Sequence, residues 1–136
     1  MPLYICNTVP NTLNEQSKER IANDITEIHC AVTGAPEIFV HVAFFEESPI
    51  VPLGSDRAAV RGTIRKGRSG EQKDDIAKAI HASLDREAGV SATDATVNIV
   101  ETPASWVLEG GEIMPEPGEE AAWLETHKAS HSQGAH

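Results

Sequence analysis

Apolar residues recur at three- and four-residue steps at Ile21, Ile25, Ile28 and Val32, after Thr12 and Glu15 at capping-box spacing and before Gly34. The stripe predicts an amphipathic helix with one face on a core. Ile76, Ile80 and Leu84 repeat it behind a second capping box, Ser69 with Gln72, and the run stops at Ala88-Gly89. Segments of another kind flank these helices. Leu3 to Asn7 is a short mixed apolar run closed by Val9-Pro10-Asn11. Ile38 to Phe45, IFVHVAFF, is β-branched and aromatic with Pro36 just before it, and Ala58 to Arg65 and Thr96 to Glu101 complete the set. All four read as strands.

The same order occurs twice. The strand starts Leu3 and Ala58 lie 55 residues apart, and the capping positions Thr12 and Ser69 lie 57 apart. The predicted fold is therefore α/β in the α+β sense: two consecutive βαβ units, about 2–46 and 57–101, forming a four-stranded mixed sheet with two helices on one face. A Gly- and Pro-bearing segment and a short helix near Glu119 to His127 follow. The domain is expected to span 1–127, with 128–136 a disordered tail. In the strand at 38–45, Ile38, Val40, Val42 and Phe44 alternate with Phe39, Ala43 and Phe45, so both faces are apolar. Two helices cover one face only, so other subunits are expected to cover the second, the alternative being the C-terminal segment folded back over it.

Composition narrows the chemistry. At 136 residues the chain fits one compact domain, and 21 acidic against 11 basic side chains give a net charge of -10. That charge repels nucleic acid and anionic membranes. No run approaches the ~20 apolar residues of a membrane span, and a basic start with an apolar run is absent, so a cytoplasmic location is expected. Cys6 and Cys30 read as apolar fillers. His127 and His131 have ligand spacing but stand at the last residue of the expected domain and in the expected tail, and no nucleotide-binding glycine motif is present, so neither metal nor cofactor is expected. One stretch breaks the acidity: RAAVRGTIRKGR, Arg57 to Arg68, has five basic residues and no acid. It straddles a strand end and a Gly turn, where anion sites form.

Pro2 follows Met1 directly. Removal of the methionine would leave a secondary amine, and an α-amine titrates near ~7.7–8, within easy reach of the range a general base needs.

Pro2, ITEIH with His29, IRKGRS with Arg65 and Arg68, and MPEPGEEAAW occur in this order, and together they resemble the cis-3-chloroacrylic acid dehalogenase family of the tautomerase superfamily. The resemblance covers nearly the whole chain. It implies the tautomerase β-α-β fold, a homotrimer, and proton handling by the nitrogen of Pro2. It further implies a small carboxylate substrate held by Arg65 and Arg68 and oriented by His29. Gly110 and Ala121 stand where the resemblance leads one to expect a tyrosine and a water-activating glutamate. Glu119 and Glu120 are adjacent, but one helical step of about 100° makes a neighbour a poor replacement. The expected activity is therefore enol-keto tautomerisation of small 2-oxo acids such as aryl enolpyruvates. Hydrolytic dehalogenation or hydration of 3-haloacrylate-type acids is the first alternative, and a non-catalytic acid-binding or assembly protein is the second.

Overall fold

The computed structural model describes residues 2–116 and 118–126. Met1, Pro117 and 127–136, including the expected tail and the His127 and His131 pair, lie outside the described residues. Strands β1 (Leu3–Thr8), β2 (His41–Glu46), β3 (Ala58–Arg65) and β4 (Ala95–Thr102) alternate with helices α1 (Glu15–Thr33) and α2 (Gly70–Ala88). The sheet order is β2-β1-β3-β4. Parallel pairs β1/β2 and β3/β4 are the two βαβ units, and the antiparallel pair β1/β3 joins them. The expected four-stranded mixed sheet is thus present. Tyr4, Cys6, Val60 and Ile64 meet Ile21, Ile25, Ile76, Ile80 and Leu84 in one core, so both predicted helical stripes face the same side of the sheet.

The second helix begins as its sequence predicts, with Ser69 and Gln72 forming the capping box. The first does not. Its box is Asn14 with Ser17, each side chain accepting from the other's backbone N–H at 2.8 and 2.9 Å. Thr12 instead donates its hydroxyl to the Val9 carbonyl at 2.9 Å, which commits it to the preceding turn. The strand expected at 38–45 also starts later, because Glu37–Phe39 form a 3-10 turn. Val40, Val42 and Phe44 pack on the core as the alternation predicts, whereas Ile38 is exposed and Phe39 buried. The turn breaks the period of two ahead of the strand.

Beyond β4 the chain adds an unpredicted hairpin, β5 (Leu108–Glu109) and β6 (Glu112–Ile113), and a short helix over 120–126. Gly110 and Gly111 link the hairpin with φ of 59° and 82°, the paired left-handed conformation of a tight hairpin turn. On the sheet face away from α1 and α2, Leu3, Phe45 and Val100 stay exposed, so the described residues leave part of this face uncovered.

One cross-strand pair fixes the central strands. Tyr4 stands opposite Gly62, and a Cβ on Gly62 would collide with Tyr4 Cε1 and meet Ile99 Cδ1 at 3.0 Å. The Tyr4 ring lies in the space a side chain would fill. Gly62→Ala is expected to destabilise the fold by about 1–3 kcal/mol, read as a lowered denaturant midpoint in equilibrium unfolding.

Candidate active site at the amino-terminal end of the sheet

The mixed topology brings the start of β1 and the end of β3 to one sheet end. The β1/β3 register pairs Leu3 with Thr63, so the next step sets Pro2 against Ile64, one residue before Arg65. Pro2 is buried, and its carbonyl accepts from His41 N–H at 3.0 Å. Arg65 ends β3, and Arg68 lies in the turn before the α2 cap. His29 belongs to the last turns of α1 and is buried. The expected residues Pro2, His29, Arg65 and Arg68 therefore gather in one region.

A carboxylate sits on the two arginines. Glu120 Oε1 accepts from Arg65 Nη2 at 3.0 Å and from Arg68 Nη2 at 2.7 Å, with all three side chains buried. Glu120 Oε2 accepts from Gly118 N–H at 2.8 Å. Burial alone would raise the Glu120 carboxyl, but its backbone bond, the Arg68 hydrogen bond and the charges of Arg65 and Arg68 hold it below the usual carboxylate range. Arg65 further donates from Nη1 to the Pro115 carbonyl and stacks over Phe39, its Cζ 5.8 Å from the ring centre. Trp123 meets the same ring edge-on at 5.6 Å. Arg68 donates from Nη1 to the Thr33 carbonyl at 3.2 Å, while its buried Nε has no partner among the described residues.

His29 is fixed from the opposite side. The Tyr4 hydroxyl lies 2.8 Å from His29 Nδ1, and the rings meet edge to face. Burial and then the charges of Arg68 and Arg65 push the imidazole down to about 4, so it is neutral at pH 7. With the hydroxyl donating to Nδ1, the single ring proton is assigned to Nε2, which is buried and has no partner among the described residues. On the other flank of β1, His41 Nε2 lies 3.9 Å from Glu109 Oε2, which brings a half-buried carboxylate to the strand beside Pro2.

One expectation needs correction, and one residue of the region was not predicted. The argument from Ala121 left this region without a carboxylate, yet Glu120 and Glu109 both reach it. Glu120 faces inward because it lies at the very start of the helix over 120–126, where Gly118 N–H holds its carboxylate. The lone tyrosine, Tyr4, is a further member of the region that the sequence motifs do not include. Its signal was a polar-tipped aromatic between Leu3 and Ile5 in a strand, where a buried hydroxyl requires a partner.

A family model described as putative oxalocrotonate tautomerase enzyme matches residues 1–128. The chain belongs to this tautomerase family. It is similar to the crystal structure of native Ps01740, at 38% identity over 79% of this chain and 100% of that one, with a TM-score of 0.72. The structure of N1, a member of the cis-3-chloroacrylic acid dehalogenase family, has a TM-score of 0.85 at 23% identity, covering 97% of this chain and 96% of that one. The Q0 fused 4-OT symmetric trimer has a TM-score of 0.70 at 16% identity, covering 83% and 95%. These last two likenesses show the tautomerase fold. No curated protein matches the sequence.

In this tautomerase-family site, the depressed His29 predicts that its imidazole resonances stay unprotonated on lowering the pH from 8 to 5, as followed by NMR. The sign for stability follows. Between about 6.5 and 4 the unfolded state binds the extra proton, so this residue's contribution to stability declines as pH falls through that window. His29→Gln should flatten that part of the stability profile.

Proposed function

We propose that the chain is a tautomerase of small 2-oxo and enol carboxylic acids, with the freed Pro2 amine as acid-base catalyst. The observation that carries this reading is the buried grouping of His29, Arg65 and Arg68 at the Pro2 end of β1, with Arg68 Nε and His29 Nε2 without a partner among the described residues. A substrate carboxylate takes its charge-assisted bonds from the arginine side, chiefly from Arg68, whose fork keeps an open donor. His29 Nε2–H orients a carbonyl or carboxylate oxygen. A neutral imidazole does this without adding a second mobile charge. Pro2 takes the proton from the enol and delivers it to carbon, and the nearby donors stabilise charge on the oxygen. Glu120 is a poor base for water because its pKa is lowered and both its oxygens already accept hydrogen bonds.

A second reading, hydration or dehalogenation of 3-haloacrylate-type acids, is favoured by Glu109, whose carboxylate lies beside His41. Here the Pro2 amine must stay protonated, so the two readings differ in its titration. Each site is completed in a homotrimer, which the exposed Leu3, Phe45 and Val100 support by offering an apolar sheet face to a neighbour.

Intact-mass analysis is expected to find Met1 removed; a chain that retains it has no prolyl amine. Ketonisation of an aryl enolpyruvate, followed by ultraviolet absorbance, should fall roughly 10²- to 10⁴-fold in Pro2→Ala. Equal rates in the two proteins rule out Pro2 as the base. Arg68→Lys should raise KM roughly tenfold with a smaller change in kcat. A Pro2 pKa below about 7 by NMR selects tautomerisation over hydration. Sedimentation equilibrium should return three times the chain mass.

A further inference from the structure

The arginine pair is already half neutralised by the chain itself. We propose that Glu120 sets the charge capacity of the arginine site at one carboxylate, making the protein selective for monoanionic 2-oxo acids over dicarboxylates. The inference rests on the proposed substrate-binding role of Arg65 and Arg68 and deepens it.

Two guanidiniums bring two positive charges to a buried place, and Glu120 cancels one of them. Its carboxylate is anchored by Arg65 Nη2 at 3.0 Å, Arg68 Nη2 at 2.7 Å and Gly118 N–H at 2.8 Å. An incoming carboxylate that displaced Glu120 would leave a buried acid without partners, which costs far more than it gains. Substrate therefore binds beside Glu120, on the donors left open. Two such donors are Arg68 Nε and, with the assigned tautomer, His29 Nε2, both buried and both without a partner among the described residues. One carboxylate uses the remaining positive charge and leaves the cluster neutral. A second would make it negative in a desolvated setting, and the Glu116 charge already acts on Arg65 from nearby.

The test is calorimetric binding of two probes of equal carbon count, 2-oxohexanoate and 2-oxoadipate, to wild type, Glu120→Gln and Glu119→Gln. Glu119 is an exposed neighbour and controls for a general charge effect. Wild type is expected to bind the monoanion at least about tenfold tighter. Glu120→Gln should tighten the dianion about tenfold or more and the monoanion less than threefold, while Glu119→Gln keeps the wild-type ratio. Equal wild-type affinities for the two probes overturn the proposal, as does an unchanged ratio in a folded Glu120→Gln protein. If that variant fails to fold by circular dichroism, the wild-type ratio alone decides. Binding needs no turnover, so equal affinities in an active enzyme overturn this inference and leave the proposed tautomerase intact. No binding of either probe overturns both.

Discussion

A buried carboxylate bridging two buried arginines ties the far end of the chain to the end of β3. Arg65 and Arg68 are fixed in place by β3 and the α2 cap, but neither charge is tolerable in the interior alone. Glu120 supplies the opposite charge, and Gly118 N–H, the Pro115 carbonyl and the Thr33 carbonyl use further polar atoms of the cluster. Removing one member of such a cluster typically costs about 3–5 kcal/mol, because the others are left charged and dry. The C-terminal segment is thereby part of the site.

From that constraint the electrostatics of the neighbourhood follow. Burial first, and then the arginine charges beside it, keep His29 neutral, and a neutral ring held by Tyr4 retains one definite orientation. Tyr4 in turn has room only because its cross-strand partner is Gly62. A glycine in the middle of a strand is ordinarily a weak choice. Here it is the condition for placing an aromatic hydroxyl under the end of α1, and so links the core of the sheet to the geometry of the site.

The two βαβ units give the molecule a pseudo-symmetric frame, and they contribute differently. The first supplies Pro2, Tyr4 and His29; the second supplies Arg65 and Arg68. Antiparallel pairing of β1 with β3 is what brings the start of one unit against the end of the other's first strand. Had the central pair been parallel, Pro2 and Arg65 would lie at opposite ends of the sheet.

Periodicity and capping chemistry sufficed for the elements: helical stripes at 21–32 and 76–84, strand runs at 3–7, 58–65 and 96–101, and the Ser69 box are local properties that neighbours along the chain dictate. They failed where two local signals competed. Asn14 outcompeted Thr12 as a cap, and a 3-10 turn after Pro36 took the first residues from an apolar run that looked continuous. The grouping of Pro2, His29, Arg65 and Arg68 was expected from the sequence because these residues match a family's order of words. Glu120 was not, since one acid among 21 in an acidic chain carries no mark of burial. Whether a carboxylate faces solvent or two guanidiniums depends on where its helix begins and what lies across from it. Local chemistry dictates most of the secondary elements, their duplication and the cation cluster; which acid neutralises that cluster and how much positive charge is left follow from the fold, because charge pairing acts through space between segments more than fifty residues apart.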